Sequence, residues 1–159
     1  MTGATSWRGH AWVAVPLRLY LGALFIYAAV HKVADPAAFA LDVATYEILP
    51  LVLVNLAALT VPWIEIVAGA LLLVGWRVRP AALVVAGLLA VFLAALLIAL
   101  ARGLDMSCGC FASQGAESDP ISWRTVLRDL LWLAMAAHVA VFDRAHLSVA
   151  QLVRKGVPP

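Results

Sequence analysis

Four long apolar stretches dominate the pattern of the chain, and polar residues collect in the segments between them. The stretches run from about residue 11 to 31, 49 to 76, 80 to 101 and 121 to 142. Each reaches the roughly 20 residues that a helix needs to cross the hydrocarbon core of a bilayer. The pattern therefore predicts an all-α membrane protein in which four transmembrane helices form a bundle.

A shorter segment between the first two spans has a different pattern. Asp35-Pro36 is a helix-start signal, and Phe39, Val43 and Tyr46 recur at helical spacing, while acidic residues fall on other faces. An amphipathic segment of this kind is typical of a helix that lies in the bilayer interface. We expect a short helix on the outer leaflet between spans one and two.

The basic residues are distributed unevenly between the two ends of the spans. If both termini are cytoplasmic, the inner segments carry six basic residues and the outer segments carry three. The inner ones are Arg8, Arg77, Arg79, Arg144, Arg154 and Lys155, and the outer ones are Lys32, Arg102 and Arg124. Because basic segments tend to stay in the cytoplasm, the count predicts an N-in, C-in topology.

The composition agrees with a chain whose main solvent is lipid. Apolar residues make up 65% of the 159 residues and charged residues 13%, and the mean hydropathy is +0.98. A soluble domain of this size could not cover that much apolar surface. The net charge of +2 also argues against a nucleic-acid partner. We therefore predict one four-helix domain over residues 1–159 in a cell membrane, with the lipid bilayer as its partner.

The third span carries an alanine at every fourth position. These alanines are Ala82, Ala86, Ala90 and Ala94. Small residues allow helices to approach closely in lipid. We expect this alanine stripe to be the packing surface of the span.

Both cysteines of the chain lie in the predicted outer loop, residues 103–122, within Met106-Ser-Cys-Gly-Cys-Phe111. The outer compartment permits disulfides. Residues two apart can bridge only in a strained ring, and strain makes a disulfide easier to reduce. Cys108 and Cys110 are therefore candidate redox residues that cycle between dithiol and disulfide.

Two other interpretations of the cysteine pair stay open. The pair could close the loop in a static way, or its thiolates could bind a metal, although two thiolates do not complete a four-ligand zinc site. We assign no metal. If the pair is redox-active, a single pair cannot run a relay between two pairs, so electrons must pass to a separate protein or a small carrier. Quinone is a candidate cofactor because apolar grooves in a membrane suit it, although no residue in the sequence specifies it.

Four ionisable residues lie at membrane depth, where such residues are expected to be paired or functional. Arg18 and Glu65 lie near the inner ends of antiparallel spans, so we predict an intramembrane ion pair between them, with proton handling as the alternative. Asp129 shares a helix face with small residues, which directs it into the bundle. Arg128 is expected to face the water or the cysteine loop.

Arg128 and Asp129 are candidates for supporting the cysteines, and three further residues are candidates for the same role. His31 and Lys32 end the first span and Arg124 begins the fourth, all on the predicted outer side. A nearby cation favours the thiolate form of a cysteine. For Lys32, the alternative interpretation is that it anchors its helix at the lipid headgroups.

Taken together, the motifs resemble those of a known family. In chain order they are Arg18-Leu-Tyr-Leu-Gly22, His31-Lys-Val-Ala-Asp-Pro36, Pro62-Trp-Ile-Glu65, Cys108-Gly-Cys-Phe111 and Ser122-Trp-Arg124. From about Val13 to Phe142, the chain resembles the methylamine-utilisation membrane protein family MauE, within the broader DoxX-like group. It departs at Ala112, where a glycine commonly follows the Cys-Gly-Cys-Phe element.

The resemblance implies a function as well as a fold. It implies a four-helix inner-membrane protein that helps to mature periplasmic methylamine dehydrogenase, whose small subunit is rich in disulfides, together with a thioredoxin-like partner. The leading hypothesis is therefore a membrane thiol–disulfide oxidoreductase that acts at the outer face. The alternative is a non-enzymatic scaffold, assembly or transport subunit whose Cys-Gly-Cys element is structural or metal-binding.

Overall fold

The computed structural model describes residues 9–104 and 121–143, and these two ranges form five α-helices and no β-strand. The helices are α1 Gly9–Ala34, α2 Pro36–Thr45, α3 Leu51–Val74, α4 Val78–Ala101 and α5 Trp123–Phe142. All except α2 are long and apolar enough to cross a membrane. The predicted all-α fold, with four long apolar helices and a short helix between the first two, is confirmed.

Local sequence signals set several of the helix ends. The Asp35 carboxylate accepts a hydrogen bond from the Ala38 backbone N–H at 2.9 Å, and Pro36 occupies the first position of α2. Gly75 ends α3 in the left-handed conformation, with φ of 74°, and Arg77 has φ of 49°. These two residues reverse the chain in a tight turn, so α4 runs antiparallel to α3.

The long helices pack as two antiparallel pairs. The most extensive contacts join α1 to α3 and α4 to α5, while α1 with α5 and α3 with α4 make fewer. Between the pairs lies an apolar core that includes Leu21, Leu72, Val85, Ala136 and Val139. This arrangement leaves α3 and α4 the less closely packed neighbours, which becomes important for access to the interior.

Gly22 of α1 and Gly69 of α3 bring their two helices into close approach. A Cβ atom at either position would lie 2.8 Å from the carbonyl oxygen of the other glycine, which is closer than real Cβ atoms come. Small residues serve this role in membrane helix pairs. The contact sets the register of α1 against α3, and that register decides which polar side chains can meet.

The alanine stripe of α4 is not the packing surface that the sequence suggested. Ala82 is buried, but Ala90 and Ala94 are exposed. A strict four-residue repeat drifts by about 40° around a helix at each step, so the stripe turns away from the core. The buried face follows the helical period instead and includes Val85, Leu89, Leu93, Leu96 and Ala99.

Candidate functional site

A cavity of about 460 Å³ lies in the half of the bundle that adjoins α2. All five helices contribute to its wall, which is mostly apolar. The charged residues that line it are Lys32, Asp42, Glu65 and Asp129. One ammonium and three carboxylates therefore border an otherwise apolar space.

Lys32 and Glu65 form the polar centre of the cavity wall. The Lys32 Nζ donates to both carboxylate oxygens of Glu65, at 2.7 and 3.0 Å, and the side chains are only 10% and 9% exposed. The same ammonium lies 5.0 Å from the centre of the Phe39 ring, a favourable position for a cation on an aromatic face. The pair joins α1 to α3 and also contacts α2, so it links three helices at one point.

Asp129, on α5, also lines the cavity. It is buried, with 1% of its surface exposed. Arg128 Nε lies 3.7 Å from the Asp129 Oδ1, and the Arg128 guanidinium lies 4.9 Å from the centre of the Trp132 ring. Arg128 and Asp129 are therefore a second pair of opposite charges, and its carboxylate borders the cavity.

Aromatic rings surround the cavity, and they come from well-separated parts of the chain. The lining includes Phe25, Phe39, Tyr46, Phe92 and Trp132. The rings of Tyr46 and Phe92 meet edge to face, with centroids 6.1 Å apart. Phe39 and Tyr46 share the helical spacing that the sequence shows. No local pattern connects these two with Phe25, Phe92 and Trp132, which only the packing of the helices brings to the same wall.

A polar contact holds the end of α2 near the cavity. Arg102, at the end of α4, donates from Nη2 to the Glu47 Oε2 at 2.7 Å and from Nη1 to the Tyr46 carbonyl oxygen at 3.2 Å. Arg102 and Glu47 are exposed, so the ion pair contributes little energy by itself. Its effect is to position Tyr46 over the cavity wall.

Arg18 does not pair with Glu65, and this sequence-based prediction is wrong. The Arg18 Nη1 donates instead to the Asp143 Oδ2 at 3.3 Å, with side chains 2% and 1% exposed. Arg18 lies four residues before Gly22, and Glu65 lies four residues before Gly69. Because the helices are antiparallel, the two side chains start about eight residues of rise, or about 12 Å, apart. Asp143 directly follows the fourth apolar span, and that position was the signal that could have marked it.

The remaining predicted site residues lie away from the cavity or outside the described ranges. His31 is exposed at the end of α1 and meets the Tyr27 ring edge-on at 5.0 Å. Arg124 is exposed in the first turn of α5. Neither lines the cavity wall. Cys108 and Cys110 lie outside the described residues.

The residues that flank the cysteine segment do lie at the cavity's end of the bundle. Leu104 and Ile121 both pack against one apolar cluster that includes Tyr46, Leu96 and Val126. Tyr46 also lines the cavity. Leu104 and Ile121, the described residues on either side of the cysteine segment, therefore lie at the end of the bundle that holds the cavity.

Comparison with known proteins identifies relatives along most of the chain. The family model described as "Methylamine utilisation protein MauE" matches residues 10–142. The methylamine utilization protein MauE of Paracoccus denitrificans is 37% identical over 125 residues, which cover 78% of this chain and 66% of that protein. The chain thus spans slightly less than two thirds of that relative's length. No solved structure matches it.

Proposed function

Because the chain belongs to the MauE family of methylamine utilisation proteins, a multi-pass membrane family, we propose that it is an accessory protein of methylamine utilisation that exchanges thiols and disulfides. We place the exchange at the outer face of the inner membrane, on Cys108 and Cys110. Both termini would then be cytoplasmic. The placement of the family within a broader DoxX-like group stays a prediction.

In the proposed reaction, the Cys108 and Cys110 pair and a cysteine pair of the partner exchange two electrons, so that one pair is oxidised as the other is reduced. A thiolate of the reduced protein attacks the disulfide of a partner, which forms a mixed disulfide and releases one partner thiolate. The second cysteine thiolate then attacks the mixed disulfide, so Cys108 and Cys110 become joined and the partner leaves as a dithiol. In the reverse direction the same bonds form and break, and the partner gains its disulfide.

One observation supports the cysteine pair as the reacting group. Leu104 and Ile121, which flank the cysteine segment, both pack against one apolar cluster at the same end of the bundle. A short reactive segment would thus be tethered at both sides to a rigid platform. Reactive groups on loops that a rigid scaffold positions are a common arrangement in enzymes.

A thioredoxin-like protein on the same side of the membrane is the proposed partner. The family resemblance supports this choice, whereas the chemistry of the step requires only that a single cysteine pair exchange electrons with a separate protein or a small carrier. The name of the Paracoccus denitrificans relative connects it with methylamine utilisation. For this chain, we propose the same physiological context and a role in forming disulfides of a methylamine-oxidising enzyme.

A growth experiment with matched variants tests the proposal. Cells whose growth on methylamine depends on this protein should lose that growth when Cys108→Ser and Cys110→Ser are combined. Ser107→Ala, in the same segment, should retain it. Single cysteine variants should accumulate a mixed disulfide with the partner, which non-reducing electrophoresis and mass spectrometry would detect. Normal growth of the double variant would instead favour a scaffold or transport subunit.

A further inference from the structure

We infer that the cavity beneath α2 binds the ring of a lipid-soluble quinone. Its described lining residues come from all five helices and from the connection between α2 and α3. Its volume of about 460 Å³ falls within the range of roughly 300–1,000 Å³ that is typical of small-molecule pockets. The inference supplies an electron carrier for the proposed function and rests on that function for its purpose, but quinone binding can be tested alone.

The cavity has exposed lining residues on α3 and α4 that mark a route into it. Val91, Ala94 and Ile98 of α4 line it, and all three are exposed on the outer surface of the bundle. Ala57 and Val61 line the facing side on α3 and are partly exposed. Because lining residues on both helices are accessible, and α3 packs less extensively against α4 than against α1, we infer that the cavity opens to the lipid between α3 and α4. A ligand that is dissolved in the bilayer can therefore enter sideways.

The polar groups of the cavity wall can bind the oxygen atoms of a quinone ring. An ammonium has three N–H donors, and two of those of Lys32 serve Glu65. Within the part of the chain that the structure describes, one donor is thus available for a quinone carbonyl oxygen. The carboxylates of Glu65 and Asp129 border the same space and can accept hydrogen bonds from the hydroxyl groups of the reduced form. Both redox states of a quinone therefore find polar partners.

The lining of the cavity suits a planar ring better than a lipid acyl chain. An acyl chain needs only apolar contacts, and a buried charge pair on its wall would contribute nothing to its binding. A ring can stack on aromatic side chains, and five of them line this cavity: Phe25, Phe39, Tyr46, Phe92 and Trp132. The combination of aromatic walls with a buried donor and acceptors matches a quinone better than a hydrocarbon chain.

The electron balance with the cysteine pair is complete. Oxidation of the Cys108 and Cys110 thiols to a disulfide releases two electrons and two protons. Reduction of a quinone to its hydroquinone takes up two electrons and two protons. With a quinone as the acceptor, the membrane protein would be reoxidised after each turnover, and its net effect would be to oxidise the thiols of its partner.

The test uses a matched pair of exposed alanines on α4. Ala94 lines the cavity, whereas Ala90, one turn earlier, is exposed but not part of the lining. Decylubiquinone is titrated into the purified full chain in lipid nanodiscs, and saturable quenching of tryptophan fluorescence is recorded. We expect Ala94→Phe to weaken binding by about tenfold and Ala90→Phe to leave it unchanged. Equal affinities in the two variants, or no saturable binding in the parent protein, would overturn the inference.

Two further arms identify what the cavity recognises. 1-Decanol, which has the tail without the ring, should compete poorly; displacement as strong as that by the quinone would assign the cavity to acyl chains. Replacing Lys32 and Glu65 together by methionine removes both charges without stranding either, and should abolish the preference for the ring. A folded double variant that keeps this preference would refute the role of the charge pair. Thermal unfolding checks its fold, and if it does not fold, the alanine pair still decides the inference.

A cysteine-free variant separates this inference from the proposed function. Combined Cys108→Ser and Cys110→Ser should bind decylubiquinone as the parent protein does. Loss of quinone binding from the parent protein, with exchange intact, would refute only the quinone site. Normal growth of the cysteine-free variant on methylamine, with quinone binding intact, would refute only the exchange reaction.

Discussion

Replacing Gly22 by alanine tests the contact that sets the register of α1 against α3. The added Cβ would lie 2.8 Å from the Gly69 carbonyl oxygen and 2.9 Å from the Leu73 Cγ. Ordinary contacts begin at 3.4 Å. The backbone of α3 cannot yield in the way that a side chain does, so the two helices must move apart by several tenths of an ångström. Gly87 offers a control, because a Cβ there would meet nothing within 4 Å.

The expected difference between the two variants follows from two opposing effects. Alanine favours a helix over glycine by about 1 kcal/mol, and this gain is common to both positions. Overpacking a well-packed site costs about 1–3 kcal/mol, and only Gly22→Ala incurs that cost. Gly22→Ala should therefore have a free energy of unfolding about 1–3 kcal/mol below that of Gly87→Ala. The combined Gly22→Ala and Gly69→Ala variant should cost less than the sum of the singles, because one helix separation relieves both clashes.

The assay is reversible unfolding in mixed micelles as the fraction of sodium dodecyl sulfate is raised, followed by circular dichroism. Each variant is compared with the parent protein in the same lipid and detergent. If Gly22→Ala proved as stable as Gly87→Ala, the close approach at Gly69 would not be the contact that holds α1 against α3. The account of the register, and of the polar pairs that depend on it, would then have to be abandoned.

Three other results are expected. Lys32→Met should lower the free energy of unfolding by about 3–5 kcal/mol because it leaves the Glu65 charge buried and unpaired. Adding Glu65→Met should recover part of that loss, as measured in the same unfolding assay. A double variant that is less stable than Lys32→Met alone would contradict the pairing. A membrane-impermeant thiol reagent should label Cys108 or Cys110 in intact cells after reduction, whereas labelling seen only after permeabilisation would reverse the proposed topology. A dithiothreitol redox titration, read by alkylation mass, should give the cysteine pair a reduction potential above about −300 mV, and a lower value would indicate a structural disulfide.

The spans could be predicted from the sequence because lipid imposes a simple requirement on them. A helix without water around it must be apolar over most of its length, so the length of the apolar run is itself the signal. α2 could be found for a different reason, since Asp35 and Pro36 mark its start and its apolar residues recur at helical spacing. Both predictions depend only on residues that are close together in the chain.

The partners of the buried charges could not be predicted in the same way. An apolar run indicates the depth of a residue only roughly, and it does not state the rotation of the helix. The contact between Gly22 and Gly69 fixes both the depth and the rotation of α1 relative to α3. It separates Arg18 from Glu65 and brings Lys32 within hydrogen-bonding distance of Glu65. Lys32 was interpreted from the sequence as a support for the cysteines or a headgroup anchor, because its partner lies 33 residues away on another helix.

The unequal sharing of charge among the spans has a consequence for biosynthesis. α4 carries no charged residue after Arg79, so it can insert into the bilayer without a partner helix to pair a buried charge. α1 carries Arg18 and Lys32 and α3 carries Glu65, and a charged side chain near the middle of a helix costs about 2.5–3.5 kcal/mol during insertion. Lys32 is already present when α3 emerges from the ribosome, but Asp143 follows α5 and is synthesised after all four spans. The Arg18–Asp143 contact can therefore form only when the final helix arrives, which makes α5 the step that completes the bundle and a truncation before it a substrate for membrane quality control.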